Sequence, residues 1–520
     1  MKNSMTLKWI KRDFAFYMVV FLSLFNVVFH IIIYRNLEYH RDELLYFSLG
    51  THPAAGYATT PPLIGLLSFL LIKVLGYSQF AAKILPALFS GVIVYLSASI
   101  TRELGGKSYA RILTGTAIII TPFCMRTFTL FQPVFLDLFF WTLIFYYLLR
   151  YMNTGNDRYL FILGIVAGFG LLNKYLIALQ LAGMVLLLPF TKYRPVFSNR
   201  FLYFGGVVAI LLFLPNIIWQ LNYDLPVVYH MTALRDTQLV HVSRTGFLIE
   251  QLLMPYMATL LVIPGLVYLL VSKHMKDFRL IAYTSVFVMF VLLMLRGKGY
   301  YTMGVFPVLI GAGAIFWENI MKRQVLRYGI IILMVLFTLP VIPLGVPVYK
   351  AEGMVQYFEK LENEYNLDVG RRWEDGTIHP LPQDYADMLG WEELARIAKQ
   401  AYDSVENKRS CVIYCQNYGQ AGAVSVIGKK YGLPEALSLN DSYRYWLPEK
   451  LDYETEALIY IGTEPNDDVL ELFADIVEIG RISHPYAREF GTQAYLCREP
   501  VRSFNQFYYE LLVERGIVGE

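Results

Sequence analysis

An acidic pair follows the first strongly apolar segment of the chain. That segment runs from Phe14 to Ile33, and its 20 residues suffice for a helix across a bilayer core of about 30 Å. The stretch His40-Arg41-Asp42-Glu43 comes shortly after it. Carboxylates at a membrane surface are costly unless they have partners or a chemical task. We therefore expect Asp42 to be the centre of an active site there, the alternative being a plain helix N-cap.

Two further acids are candidates for the same site. Successive side chains diverge by about 100° on a helix, so Glu43 is expected beside Asp42, either supporting it or solvated. Asp137 lies one turn inside an apolar helix that begins at Gln132-Pro133. A helix N-terminus favours an acid through its dipole, but a carboxylate among apolar neighbours also wants a partner. We favour a catalytic role for Asp137.

Cations in two later turns could bind an anion. Lys174 stands in the short turn Leu171-Leu172-Asn173-Lys174-Tyr175, where the alternative is a lysine that snorkels to the interface. Arg296 and Lys298 flank a glycine and precede Tyr300 and Tyr301. This pattern predicts a phosphate clamp, although cations and tyrosines also anchor helices at membrane interfaces.

The composition is that of a polytopic membrane protein. The chain has 520 residues, of which 56% are hydrophobic and 17% charged, against about 25% charged in soluble domains. Its mean hydropathy is +0.43. A net charge of +3 without a basic run argues against a nucleic-acid partner. The four cysteines are too few for a disulfide framework.

Apolar runs predict about eleven transmembrane helices, and the short run 63–75 is not one of them. The predicted spans are 14–33, 80–101, 109–123, 132–150, 159–172, 175–190, 201–219, 247–271, 279–296, 300–317 and 327–346. Every second turn is rich in Lys and Arg, as cytoplasmic turns are. With Lys8, Lys11 and Arg12 ahead of the first span, the N-terminus is predicted to be cytoplasmic. An odd number of spans then places the C-terminal part outside, with Asp42.

Two domains are predicted. Residues 1–350 form the transmembrane domain, with external loops at 35–79 and 220–247. The second loop could close over a substrate; its candidate residues are Tyr229, His230, Arg235, His241 and Arg244. Residues 351–520 lack a span and read as an extracytoplasmic α/β domain. Its predicted helices are 393–405, 420–431 and 504–515, and its predicted strands are 411–415, 458–461 and 494–496.

Acids and cations at one membrane surface suit a particular chemistry. A sugar on a lipid phosphate already carries a good leaving group. The protein then needs cations to hold the departing phosphate and a carboxylate to deprotonate the acceptor hydroxyl. A lipid-sugar flippase or transporter is the alternative, but such folds show repeated halves with sites near the midplane, and no repeat is evident here.

The order of these motifs resembles the membrane glycosyltransferases of the GT-C fold. The nearest group is the protein O-mannosyltransferase and lipid A aminoarabinose transferase superfamily. The matching residues are Arg41-Asp42-Glu43-Leu44-Leu45-Tyr46, Pro61-Pro62-Leu63, Asp137, Leu171-Leu172-Asn173-Lys174-Tyr175, Pro215-Asn216-Ile217-Ile218-Trp219 and Lys298-Gly299-Tyr300-Tyr301. Asn417-Tyr418-Gly419-Gln420-Ala421-Gly422, with Leu433-Pro434, resembles the extracytoplasmic domain of bacterial members.

The resemblance implies a mannosyltransferase-like enzyme of the cell envelope, in the inner membrane. Its donor would be a polyprenyl-phosphate sugar and its acceptor a hydroxyl of a lipid, glycan or protein, with inversion at the anomeric carbon. Asp42 would be the base or a metal-associated acid, and a divalent cation, Mg²⁺ or Mn²⁺, near Asp42 and Asp137 is left open. Relatives usually carry a charged or histidine side chain where this chain has Thr59-Thr60. That departure argues against aminoarabinose as the sugar.

Overall fold

The structure is a computed structural model, and it describes residues 13–373, 376–465 and 467–518. Lys8, Lys11 and Arg12, on which the predicted orientation partly rests, lie outside the described residues.

Apolar helices dominate the chain as far as residue 345. Their bounds are α1 Phe14–Ile33, α2 Arg41–Ser48, α3 Leu63–Leu75, α4 Gln79–Glu103, α5 Ser108–Ile120, α6 Pro122–Thr127, α7 Pro133–Thr154, α8 Arg158–Asn173, α9 Ile177–Leu187, α10 Arg200–Asn222, α11 Pro226–Thr237, α12 Arg244–Leu253, α13 Thr259–Val271, α14 Arg279–Met294, α15 Phe306–Ile320, α16 Gln324–Thr338 and α17 Ile342–Gly345. The predicted polytopic α-helical fold is confirmed.

Helix length separates the clear spans from the short ones. In the described residues, seven helices are long and apolar enough to cross a membrane, or nine if each of two bent pairs counts once. The two other predicted spans correspond to α8 and α9, whose 16 and 11 residues fall below the usual length of about 17. The run predicted not to span is α3, with 13 residues.

Prolines account for the two bent pairs. The chain turns by 61° between α5 and the segment that begins at Pro122, and by 90° between α12 and the segment 256–271, where Pro255 precedes the second piece. Proline lacks the N–H that a continuous helix needs and its ring clashes with the preceding turn. The predicted span 247–271 is therefore divided into two helices, and the predicted span 109–123 bends near its C-terminal end.

The C-terminal region combines helices with one four-stranded sheet. Its elements are α18 Ala351–Tyr365, α19 Gln383–Ala386, α20 Trp391–Asp403, β1 Cys411–Cys415, α21 Tyr418–Gly422, β2 Ala457–Gly462, α22 Asp467–Leu472, β3 Phe473–Arg481, β4 Gln493–Pro500 and α23 Phe504–Glu514. The strand order is β1-β2-β4-β3. β1 runs parallel to β2, and the other neighbours are antiparallel.

The predicted α/β character of this region is confirmed, with two corrections. The helix-like segment predicted over 420–431 is helical but is not one regular α-helix, because α21 ends at Gly422 and the chain continues as a π-helical turn and then a 3₁₀ turn. β3 was not predicted.

One apolar core cluster extends across both parts of the chain. Buried residues of α2, including Leu44 and Phe47, belong to the same cluster as Trp391 and Val424 of the C-terminal region. Backbone groups also pair across the junction, since Arg41 N donates to Asp387 O over 2.9 Å. The helix that carries the acidic pair is therefore packed against the C-terminal region. The division at residue 350 stays a prediction.

Candidate active site

A cavity of about 740 Å³ lies where the apolar helices meet the C-terminal region. Asp42, Lys298 and Tyr300 line it, together with Arg41 and Tyr418. The acid after the first span and the lysine before the paired tyrosines thus share one cavity, although 256 positions separate them in the chain. Sequence reasoning predicted that they would meet.

The first turn of α2 directs Asp42 toward this cavity. His40 is the N-cap: its Nδ1 accepts from the Asp42 backbone N–H over 3.0 Å, and Glu43 Oε2 accepts from the His40 backbone N–H over 2.9 Å. This reciprocal pair is a capping box. The N-cap alternative for Asp42 is therefore wrong, because His40 does that work and leaves the Asp42 carboxylate free for other partners.

The Asp42 carboxylate is held by two side chains. Gln132 Nε2 donates to Oδ2 over 3.1 Å, and the Tyr418 hydroxyl donates to Oδ1 over 2.8 Å. Gln132 comes just before α7 and Tyr418 opens α21, so both parts of the chain orient the acid. Each carboxylate oxygen keeps a second lone pair for a substrate hydroxyl.

Glu43 has a different setting from Asp42. Its side chain is fully buried and is not among the described residues that line the cavity. Its carboxylate accepts from the Phe131 backbone N–H over 2.7 Å and from Lys83 Nζ, in addition to His40. These contacts join α2, α4 and the turn before α7. They fit the supporting role that the sequence left open for Glu43, and its role in the reaction stays a prediction.

Asp137 and Lys174 lie next to the cavity. Asp137 is buried in α7, accepts from Trp141 Nε1 over 3.0 Å and is close enough to Lys174 to interact electrostatically. Lys174 Nζ stands 5.3 and 5.0 Å from the ring centroids of Tyr300 and Tyr301. None of Asp137, Lys174 and Tyr301 is among the described lining residues. These three predicted residues therefore lie close to Tyr300, which lines the cavity, without lining it themselves.

The two cations of the predicted phosphate clamp lie in different surroundings, and only one of them lines the cavity. Lys298 lines the cavity and its Nζ donates to Gln238 Oε1. Arg296 is exposed, and the contact recorded for it is from Nη1 to Val240 O at 3.4 Å. Gly299 allows the close approach at this turn, since a Cβ there would come within 1.9 Å of Glu250 Oε2.

The loop 220–247 reaches the cavity through a residue that was not predicted. It contains α11 and a 3₁₀ turn, and Gln238 between them lines the cavity. Its five predicted residues are not among the described lining residues: Tyr229, His230, Arg235, His241 and Arg244. A closing motion of this loop stays a prediction.

Ion pairs across the junction also went unpredicted. Arg126 Nε lies 2.8 Å from Asp384 Oδ2, and Arg488 Nη1 lies 3.1 Å from Asp387 Oδ2; all four residues line the cavity. Burial alone would raise the pKa of Asp384, but the Arg126 guanidinium and the His40 side chain together outweigh it and hold that pKa well below its usual range. The sequence shows Arg126 shortly after Pro122 but contains no pattern that identifies Asp384 as its partner.

We expect Asp384→Asn to weaken docking of the C-terminal region by about 1 kcal/mol, since the carboxylate is half exposed and screened. Its depressed pKa means that the stabilisation is present above the unfolded pKa of about 4 and is lost only at lower pH. The difference in thermal midpoint between variant and wild type should therefore be at least as large at pH 5 as at pH 8, because Asp384 raises the pKa of His40 against the effect of burial and the protonated imidazole adds a second positive charge at the lower pH. A difference that vanishes at pH 5 would contradict this reasoning.

The predicted divalent cation finds no ready set of protein ligands. In the described residues, no three His, Cys, Asp or Glu side chains come together as metal ligands would. Asp42 already bonds Gln132 and Tyr418, and Asp137 bonds Trp141. These residues do not fit a metal held by the protein alone. The cation stays a prediction.

The chain shares its fold with known membrane glycosyltransferases. Residues 59–219 match the model of the dolichyl-phosphate-mannose-protein mannosyltransferase family. The crystal structure of ArnT from Cupriavidus metallidurans bound to undecaprenyl phosphate superposes with a TM-score of 0.60 at 13% identity, over 92% of this chain and 97% of that one. The apo form gives a TM-score of 0.60 at 12% identity, over 93% and 98%. No curated protein sequence matches the chain.

The comparisons show which fold the chain has. An oligosaccharyltransferase from Archaeoglobus fulgidus also aligns, at a TM-score of 0.46 and 13% identity over 87% of this chain and 69% of that one. The superpositions show the ArnT-like GT-C fold that the motifs predicted, and the family model matches residues 59–219 within it. The family match includes Asp137 and Lys174 but ends before Lys298.

Proposed function

We propose that the protein transfers a sugar from a polyprenyl-phosphate carrier to a hydroxyl group of a lipid, glycan or protein, with Asp42 as the general base. The observation that carries this proposal is the cavity that Asp42 shares with Lys298 and Arg41. An acid free to take a proton and cations free to bind a phosphate are the two groups that such a transfer needs.

The cations of the cavity differ in how they are compensated. Arg126 and Arg488 form ion pairs with Asp384 and Asp387. Arg41 lies against the Tyr418 ring, and Lys298 donates to the neutral Gln238 amide. Neither of these contacts is with a carboxylate. A phosphate in this cavity would give both cations an anionic partner.

The proposed reaction is a single displacement. Asp42 accepts the proton of the acceptor hydroxyl as its oxygen forms a bond to the anomeric carbon. The bond from that carbon to the phosphate oxygen breaks, and its electron pair leaves with the polyprenyl phosphate. Arg41 and Lys298 face the charge that develops on the phosphate. The new glycosidic bond forms on the opposite side of the sugar ring, so the configuration inverts.

The carrier and the location follow from independent arguments. The ArnT structure with the same fold binds undecaprenyl phosphate, which supports a polyprenyl phosphate as the carrier here. The basic turns predict a cytoplasmic N-terminus. The site, which opens at the end of α1, would then face the outer side of the inner membrane.

Lys298→Ala tests the phosphate contact. We expect the Kd for undecaprenyl phosphate in detergent to rise about thirtyfold, because a charge-assisted hydrogen bond is lost. Native mass spectrometry measures the bound fraction. Lys192→Ala is the matched control: Lys192 pairs with Asp277 and is not among the described residues that line the cavity. Its Kd should equal that of the wild type. Equal Kd values for Lys298→Ala and wild type would remove the phosphate site from this cavity.

A further inference from the structure

The hydrogen bond between Tyr418 and Asp42 joins residues 376 positions apart. The Tyr418 hydroxyl donates to one carboxylate oxygen over 2.8 Å, while Gln132 donates to the other over 3.1 Å. A carboxylate on a short helix can rotate about its side-chain bonds unless both oxygens are held. The C-terminal region therefore supplies half of the restraint on the proposed base.

Tyr418 is itself held in place by its neighbours. The Asn417 side chain accepts from the backbone N–H groups of Gly419 and Gln420, over 2.9 and 3.1 Å, and so caps α21. The Arg41 guanidinium lies 4.4 Å from the centroid of the Tyr418 ring, a cation–π contact. The cap on α21 and the contact of the ring with Arg41 thus hold the Tyr418 side chain in place without a substrate.

Gly419 permits this approach of α21 to α2. A Cβ at Gly419 would lie 2.7 Å from Arg41 Cγ and 2.8 Å from the Trp391 ring. Any larger residue would push α21 away from Arg41 and lengthen the contact from Tyr418 to Asp42. Burial and the nearby Asp42 charge raise the pKa of Tyr418 well above its usual value. Its hydroxyl therefore stays protonated and able to donate.

We propose that Tyr418 is a positioning residue, through which the C-terminal region orients the Asp42 carboxylate for proton transfer. The inference rests on the proposed function, since it assumes that Asp42 is the base. A base must lie within hydrogen-bond reach of the proton it takes, and small errors of orientation are costly in rate. The C-terminal region is then a component of the active site as well as a domain packed on it.

Tyr418→Phe tests the inference, because it removes the hydroxyl and keeps the ring. Membranes from a deletion strain that carries each variant are assayed by mass spectrometry for the rate at which the sugar-modified product appears. We expect that rate to fall about tenfold, as for loss of one hydrogen bond to a charged group. The Kd for undecaprenyl phosphate should stay within about twofold of wild type, because Tyr418 acts on the base rather than on the carrier.

Tyr443→Phe is the matched control. The Tyr443 hydroxyl donates to Ser48 Oγ over 2.7 Å across the same junction and does not contact Asp42. This variant should lower the thermal midpoint while the transfer rate stays that of wild type. If it slows transfer as much as Tyr418→Phe, the effect is general docking and the inference is overturned.

A double variant separates this inference from the proposed function. Tyr418→Phe should slow transfer no further when Asp42→Asn is already present, because the two residues act as a unit. If Asp42→Asn retains the wild-type rate, the proposed function fails. If Asp42→Asn is inactive and Tyr418→Phe is as fast as wild type, only the positioning role fails.

Discussion

Replacing Asp42 by Asn is expected to lower sugar transfer about a thousandfold. Asparagine keeps the size and can still accept one hydrogen bond, from Tyr418 or Gln132, but it cannot take a proton from the acceptor hydroxyl. General base catalysis contributes about 10²- to 10⁴-fold to enzymatic rates. The measurement compares lipids and glycans of a deletion strain that carries wild type or the variant. The sugar increment present with wild type should be absent with Asp42→Asn.

Asp277→Asn is the control for this experiment. Asp277 pairs with Lys192 over 2.8 Å and is not among the described residues that line the cavity, so its variant should transfer at the wild-type rate. The same comparison addresses the flippase alternative. A flippase needs no general base, so it should work equally well with or without the Asp42 carboxylate. Full sugar transfer in the Asp42→Asn variant would therefore contradict the enzyme proposal.

Replacing Glu43 by Gln is expected to lower the stability of the protein by about 3 kcal/mol. Glu43 is fully buried and is the carboxylate that pairs with Lys83, which is 6% exposed. Glutamine can keep a bond to the Phe131 or His40 backbone N–H, but it leaves the lysine charge buried without compensation. The midpoint of thermal unfolding in detergent measures the loss.

A double variant checks the cause of that loss. Lys83→Met alone should also destabilise, because it leaves the Glu43 charge unpaired. Glu43→Gln with Lys83→Met removes both charges and should recover much of the midpoint, as buried pairs replaced together often do. An unchanged midpoint for both single variants, combined with a slower reaction for Glu43→Gln, would instead place Glu43 in the chemistry.

The sequence was sufficient for the spans because hydropathy is a local property. A helix in a bilayer satisfies its backbone within its own segment, so α1, α4 and α10 can each be read from one apolar run. The same holds for β1 and β2, each of which is a short uninterrupted apolar run. β3 was not predicted because charged residues interrupt its apolar run. Asp475 and Glu478 lie on opposite faces of the strand, so neither face shows a clean apolar pattern.

For the site, too, local patterns were predictable from the sequence and contacts between distant segments were not. Charge placement at helix ends, together with the alternation of basic turns, was enough to predict that Asp42, Lys174 and Lys298 come to one side of the helices. The partners of Asp42 were beyond sequence reasoning, because Tyr418 is brought to it by close packing of α21 on α2. Which side chains meet across such a contact depends on the docked surfaces as a whole, and no local pattern in either segment specifies it.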